Sequence, residues 1–311
     1  MQRILISLGG NALGTDFNNL NRTCEAVAEP ICDLIAGGSE VLICHGNGPQ
    51  VGIIDAGLEI GLEASGEPGL PLSEAVAMSQ SFIGYHLQNA IRSRLLTRYG
   101  IDKQVVTLVT CVEVDPADER FQAPSKPVGS FKTQEEARVL EAEGKTVIED
   151  SGRGYREVVA SPLPLQILES ESVNTLMDSG AIVIAGGGGG IPVYRDAEGH
   201  IHALDAVIDK DWVSVLLAAD TGCSSLVMLT AVEKVAYHYN RTGHAWLDQL
   251  TISEARRYVE DGEFAVGSML PKVEAAIQFV SSGSERRALI TSLEKLREGL
   301  AGETGTWIMD D

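Results

Sequence analysis

The feature that most restricts the fold is an alternation. Short apolar runs, several of them ending in glycine, are each followed by a stretch with helical spacing. Arg3–Leu8, Glu40–Cys44, Ala181–Ala185, Ser225–Leu229, Arg287–Thr291 and Thr306–Met309 are the strand-like runs, and Gln104–Val112 is a further β-rich stretch. Helical spacing covers 21–37, 51–63, 72–99, 169–179, 252–261, 271–282 and 293–300. Pro30 falls inside the first of these and should kink it or start a second segment. Strands alternating with helices imply a mainly parallel, doubly wound α/β sheet. Its ligands belong beyond the carboxyl ends of the strands. With 311 residues the chain suits two α/β lobes or one large domain.

Glycine clusters stand at the strand ends. Gly9-Gly10-Asn11-Ala12 follows the first strand, and His45-Gly46-Asn47-Gly48-Pro49-Gln50-Val51-Gly52 follows the second. Gly186–Gly190 follows Ala181–Ala185, and five glycines in a row would leave backbone amides free to wrap an anion. Between residues 115 and 162 the rhythm changes. Prolines and charges there suggest turns, a hairpin and one short helix (Gln134–Glu143) projecting from the main sheet. Lys126 is held there between Pro124 and Pro127; a solvated loop lysine is the simpler reading of it.

Two lysines sit where lysines are disfavoured. In Val207-Ile208-Asp209-Lys210-Asp211-Trp212, Asp209 reads as an N-cap and Lys210 as the first residue of an apolar helix. In Gly267-Ser268-Met269-Leu270-Pro271-Lys272, Pro271 reads as a first helical residue with Lys272 in the first turn. A cation facing the positive end of a helix dipole costs roughly 0.3–1 kcal/mol. An anion between terminus and ammonium removes that cost, since helix N-termini bind phosphate. Either lysine alone could be an ordinary surface residue; two at two helix starts suggest one shared polyanion.

The formal charge of −20 argues against nucleic acid or an anionic membrane as partner. An acidic chain that binds an acidic ligand must use a few local cations. The five cysteines form no C-x-x-C and read as reduced thiols in a cytoplasmic protein. The six histidines form no metal-binding spacing, so no structural metal site is expected. No stretch has the length of a membrane span.

Three motifs fail on inspection. Gly144-Lys145-Thr146 lacks the earlier glycine of a phosphate-binding loop, because that position is Val139. Asp220-Thr221-Gly222 occurs once, whereas an aspartic dyad needs two copies. Gly46-x-Gly48-x-x-x-Gly52 leaves a nicotinamide enzyme as a minor alternative, without a clear acidic residue to hold a ribose.

The glycine loops, Pro124-Ser125-Lys126-Pro127, Gly152-Arg153-Gly154-Tyr155-Arg156, Gly187–Pro192, Val207–Asp211 and Gly267–Ala276 together resemble the carbamate kinases of the amino acid kinase family. The resemblance spans nearly the whole chain. It implies a three-layer α/β/α sandwich with an open, mainly parallel sheet and a small protruding subdomain at about 115–162. The implied lobes are 1–175, binding carbamoyl phosphate, and 176–311, binding nucleotide. It further implies a homodimer that transfers phosphate reversibly between carbamoyl phosphate and ADP, giving ATP. Carried over residue by residue, Lys210 and Lys272 flank the transferring group, Asp211 holds them, and Lys126 reaches down from the protruding subdomain. Gly9, Gly10, Asn11, Gly46, Asn47 and Gly48 line the carbamoyl phosphate end. Gly188, Gly189, Thr230, Ala231, Val232, Val235 and Met269 border the nucleotide. Mg2+ arrives with ATP or ADP, and no protein metal site is implied.

The chain departs from the resemblance at Ala231, where the family usually has Asp, and at Leu270, where Gly is usual. Glu157 and Leu163 stand where basic residues are common. A sibling kinase of another small carboxylate and a non-catalytic phosphate-ligand-binding protein are the alternatives.

Overall fold

The computed structural model describes residues 2–311 other than 10–12, 15–18, 150–151, 153, 240 and 266–267. Gly10, Asn11, Arg153 and Gly267 therefore lie outside the described residues. The first half of the chain runs β1 (Arg3–Leu8), α1 (Leu20–Ala36), β2 (Glu40–His45), α2 (Gly48–Ser65), α3 (Leu72–Tyr99), β3 (Val105–Thr107) and β4 (Cys111–Val114). Next come β5 (Lys126–Lys132), α4 (Gln134–Ala142), β6 (Val147–Glu149), β7 (Tyr155–Val159), β8 (Pro164–Ile167) and α5 (Ser170–Asp178). The chain continues through β9 (Ile182–Ile184), β10 (Ile191–Arg195), β11 (Ile201–Ala203), α6 (Lys210–Asp220), β12 (Ser225–Thr230), β13 (Val235–Tyr237), β14 (Ala245–Leu247) and β15 (Gln249–Thr251). It ends with α7 (Ile252–Glu260), α8 (Leu270–Ser281), β16 (Arg287–Ser292), α9 (Leu296–Leu300) and β17 (Thr306–Met309).

Eight strands form the main sheet, in the order β15-β17-β16-β12-β1-β2-β9-β3. Its pairings are parallel except for β16 against β17. Parallel strands are covered on both faces, which is why these runs are apolar throughout rather than alternating. In β1 the period of two still decides which layer each residue joins. Ile4, Ile6 and Leu8 pack with α1 and α3 in one core, and Leu5 packs with α6 and α8 in the other. The two cores on opposite faces of one sheet make the three layers. Each fully buried Leu or Ile contributes about 1.5–3 kcal/mol.

Two expectations change. Pro30 lies inside a single continuous helix, so no second segment forms. The β-rich run 104–112 splits between two sheets, with β3 pairing β9 and β4 pairing β8 and β10. Two glutamines of α3 cause the break. The Thr107 amide donates to Gln88 Oε1 at 3.0 Å, and the Thr110 amide donates to Gln80 Oε1 at 2.8 Å. Gln80 Nε2 donates back to the Thr110 carbonyl at 3.0 Å. Side chains thus take the hydrogen bonds that a continuous strand would need.

A second sheet has the order β11-β10-β4-β8, and β13 pairs β14. The stretch 115–162 contributes a three-stranded antiparallel sheet, β5-β7-β6, with α4 packed on it. This is the arm. It meets the main body at α2, where a Cβ on Gly52 would fall 2.1 Å from Gly129 Cα. Cys24, Cys32, Cys44 and Cys223 are buried, Cys111 is half-buried, and all five are free thiols.

Candidate active site

Helix α6 begins as its sequence dictates. Asp209 is extended and its side chain accepts from the Asp211 amide at 2.9 Å, satisfying an N-terminal donor. Lys210 is the first helical residue, and both Lys210 and Asp211 are buried. Helix α8 starts one residue earlier than expected, at Leu270, so Pro271 is its second residue. Both helix starts open onto one cleft of about 2100 Å³ beyond the carboxyl ends of β1 and β12.

At its floor, one carboxylate holds both ammonium groups. Lys210 Nζ donates to Asp211 Oδ1, and Lys272 Nζ donates to Asp211 Oδ2 at 2.9 Å. Two cations on one anion leave one positive charge in surplus, added to two helix N-termini. Burial works against the Lys210 ammonium, but the Asp211 and Asp209 carboxylates outweigh it and hold its pKa above the ordinary lysine value. Burial would likewise raise Asp211, but Lys210 and then Lys272 hold it far below the ordinary carboxylate range. Lys210 and Asp211 therefore both carry charge at neutral pH.

The arm supplies the third lysine. Lys126, at the start of β5, donates to Asp209 Oδ2 at 2.6 Å, so it is not simply a solvated loop residue. Asp209 is pulled below its usual range: burial opposes this, and Lys126 and Lys210 overcome it. Arg156 of β7 donates to the carbonyls of Pro127 at 3.2 Å and Gly129 at 3.0 Å, fixing the strand that carries Lys126.

The five-glycine run serves packing more than amide donation. A Cβ on Gly187 would lie 2.5 Å from His45 Nε2, one on Gly188 would lie 2.2 Å from Asn47 Nδ2, and one on Gly189 would lie 2.1 Å from the Ile208 carbonyl oxygen. The loop is wedged between the β2–α2 turn and the approach to Lys210. Three of its five amides have acceptors within the protein. Gly186 donates to Thr110 Oγ1 at 3.1 Å, Gly189 to Gly186 O and Gly190 to Gly187 O, both at 3.0 Å. Asn47 is buried, and its amide donates to Ser79 Oγ at 2.8 Å. Gly9 approaches so closely that a Cβ would lie 2.8 Å from the Leu229 carbonyl oxygen. Burial pushes the His45 pKa down to about 4, so this imidazole is neutral beneath the loop.

Of the residues singled out from sequence, Gly9, Gly46, Asn47, Gly48, Lys126, Gly188, Thr230, Ala231, Lys210, Asp211 and Lys272 line the cleft. Gly189, Val232, Val235 and Met269 do not. Val235 is core, its amide donating to Thr306 Oγ1 at 2.8 Å, and Met269 packs against the same core. Gly10 and Asn11 lie outside the described residues. Sequence reasoning missed Asp209 as the partner of Lys126, and it missed Ser7 and Ser214 beneath Lys210. A serine in an otherwise apolar strand was the one available signal for Ser7. Among the described residues no group of three or more His, Cys, Asp and Glu could hold a metal ion, and no helix is long and apolar enough to cross a membrane.

Comparison with known proteins points the same way. Residues 2–292 match the amino acid kinase family. The chain is 52% identical over 308 residues to the carbamate kinase-like protein YqeA of Escherichia coli, with 99% of each chain covered. It is 48% identical over 309 residues to a carbamate kinase of Staphylococcus haemolyticus, again with 99% of each covered. The structure of a carbamate kinase from Giardia lamblia bound to AMP-PNP superposes with a TM-score of 0.88 at 39% identity, covering 100% of this chain and 99% of that one.

Proposed function

The chain belongs to the amino acid kinase family, and from that premise we propose that it is a carbamate kinase. It transfers a phosphoryl group reversibly between carbamoyl phosphate and ADP, producing ATP and carbamate, which decays to ammonia and CO2. The observation that carries this reading is the sharing of Asp211 by Lys210 and Lys272 at the floor of a cleft of about 2100 Å³. Phosphoryl transfer needs positioning and charge neutralisation rather than a covalent nucleophile. A lysine about 4 Å from a phosphate charge contributes on the order of 4 kcal/mol at an effective dielectric near 20. Lys210 and Lys272 flank the transferring group, and Asp211 holds them. Lys126 reaches the substrate from the arm when it exchanges Asp209 for the ligand.

In this reading the Gly9–Asn11 and Gly46–Gly48 loops take the carbamoyl phosphate end, within a lobe spanning 1–175. The 176–311 lobe takes the nucleotide, with Gly188, Thr230 and Ala231 at the cleft. Mg2+ would supply charge neutralisation on the nucleotide phosphates. Asp211 at the floor and Asp209 on the arm side are both matched by lysines, so the ion would be held chiefly by phosphate oxygens. The protein would act as a cytoplasmic homodimer.

The test is ATP formation from carbamoyl phosphate and Mg-ADP in a coupled assay. Lys210→Ala and Lys272→Ala should each lower kcat by roughly 10²-fold or more, with the fold intact by circular dichroism. Near-wild-type turnover in either defeats the mechanism. Ala231 and Leu270, both at the cleft, favour a second reading, a kinase of another small carboxylate. Turnover with such an acid but not with carbamoyl phosphate would select it. Calorimetric binding of ADP or carbamoyl phosphate without any turnover would select a non-catalytic ligand-binding protein.

A further inference from the structure

Ser7 lies on β1 two positions before Gly9, registered against Met228 of β12 and Cys44 of β2. Its side chain and that of Ser214 on α6 are fully buried. A serine hydroxyl has one proton to donate and can accept two. Ser7 uses all of this capacity. It accepts from Lys210 Nζ at 3.1 Å and from Ser214 Oγ at 3.0 Å, and it donates to Asp211 Oδ1 at a looser 3.4 Å. Lys210 also donates to that same Asp211 oxygen. Ser7, Lys210 and Asp211 thus close a ring, backed by Ser214.

The ring has a consequence for the ammonium. A lysine carries three N–H donors in tetrahedral array. Two are committed inside the protein, to Ser7 and to Asp211, which leaves one for the cleft that Lys210 lines. With two anchors the direction of the third is fixed. With Asp211 alone the group could turn about a single contact.

We propose that Ser7 is a positioning residue for Lys210, its hydroxyl, backed by Ser214, aiming the ammonium at the transferring phosphoryl group. The proposal rests on the phosphoryl-transfer reading of the cleft. A merely structural role would be that both hydroxyls satisfy each other because they are buried. The two roles differ in how the residues couple.

The experiment uses the full-length protein. Ser7→Ala should lower kcat about 10-fold, the usual effect of losing one hydrogen bond to a charged group. KM for carbamoyl phosphate and for ADP should stay within about two-fold, since the lost interaction acts on the transition state. In a Lys210→Ala background the same substitution should cost nothing further. Equal losses in both backgrounds, or an unchanged kcat in the single variant, overturn the proposal. A readout independent of turnover is NMR of lysine labelled with 13C at Cε. The two ε protons of Lys210, assigned by Lys210→Arg, differ in shift by an amount that grows as the buried side chain is held more firmly in one orientation. Ser7→Ala should narrow that splitting, and an unchanged splitting overturns the proposal. If Ser7→Ala does not fold, Ser214→Ala takes its place in both measurements, with kcat down about 3-fold for the weaker neutral bond it removes and the splitting reduced. An unchanged kcat and unchanged splitting there overturn the proposal. If the wild type makes no ATP from carbamoyl phosphate, the kinase reading fails, and the NMR result alone decides the role of Ser7.

Discussion

The cleft is bounded by two lysine–aspartate arrangements built from the same three-residue stretch, and they differ in kind. At the floor, Lys210 and Lys272 share Asp211 with side chains 9%, 14% and 4% exposed. On the arm side, Lys126 meets Asp209 with side chains 28% and 21% exposed. The floor groups come from two helices whose starts are fixed by the core. The arm group comes from a small sheet that reaches the body through α2, where Val128 packs and Lys145 pairs with Glu59 at 3.8 Å, and through the Lys126–Asp209 pair. A buried pair is screened little by salt and costs heavily if half of it is removed; a half-exposed pair is screened and replaceable. The floor is therefore preorganised for charge on the reacting group, and the arm is suited to exchange its partner for a ligand.

The sharpest way to break this comparison is Asp211→Asn. Two buried ammonium groups would lose their shared anion, a change of the class that costs about 3–5 kcal/mol. Both kcat, by more than roughly 10²-fold, and the denaturant midpoint should fall. An unaltered midpoint would show that the floor is not a buried charge assembly. Gly52→Ala comes next. Its methyl would sit 2.1 Å from Gly129 Cα, so the arm must shift, and a displacement of about 1 Å at a substrate-positioning element can cost up to 10²-fold in kcat/KM. Steady-state kinetics should place most of that loss in KM for carbamoyl phosphate. Lys126→Ala should follow, raising that KM by about 10-fold or less, as for one charged hydrogen bond, with kcat nearly kept. In wild type the same KM should rise with ionic strength while kcat stays flat. A kcat that falls with salt as steeply as KM rises would erase the distinction between the regions.

The last effect concerns pH and acts on stability rather than turnover. Asp211, held below its ordinary 3.8, stabilises the fold above that value and stops doing so only as pH falls through its lower folded value. Lys210, held above 10.5, stabilises below that value and stops as pH rises through its higher folded value. Neither Asp211 nor Lys210 therefore titrates near neutrality. His45 does the reverse of a paired histidine. Its pKa drops to about 4 by burial, so the unfolded chain binds the extra proton first and stability declines as pH falls from about 6.5 to 4. The decline is at most on the order of 3 kcal/mol. His45→Asn should flatten that part of a melting-temperature profile relative to wild type.

Much of this was legible in the sequence because it rests on local rules. Apolar runs, three of them ending in glycine, marked β1, β2, β9, β12, β16 and β17 of the main sheet but not the short edge strand β15, and Asp209 and the disfavoured Lys210 and Lys272 marked two helix starts. What the sequence hid was set by long-range partners. The run 104–112 looks like one strand because nothing in it announces Gln80 and Gln88, which divide it from a helix earlier in the chain. The glycine run 186–190 reads as an anion cradle on composition, whereas three of its positions are small because His45, Asn47 and Ile208 press against them. Lys126 reads as solvated because its counterion, Asp209, is 83 positions away. Val235 shares its sequence neighbourhood with cleft residues but folds into the core.

The contact between Gly52 and Gly129 is main chain against main chain. A joint of that kind carries no memory of what decorates the rest of the module. Val128 of β5 and Val159 of β7 pack beside it with Val51, Val76 and Val207, so residues of β5, β7 and α4 that neither join this seat nor hold Lys126 can drift without disturbing how the module sits. The cleft rim is thus an exchangeable cassette mounted on a constant engine, and changes of acceptor preference in descendants of this chain should accumulate there while the lysine floor stands still.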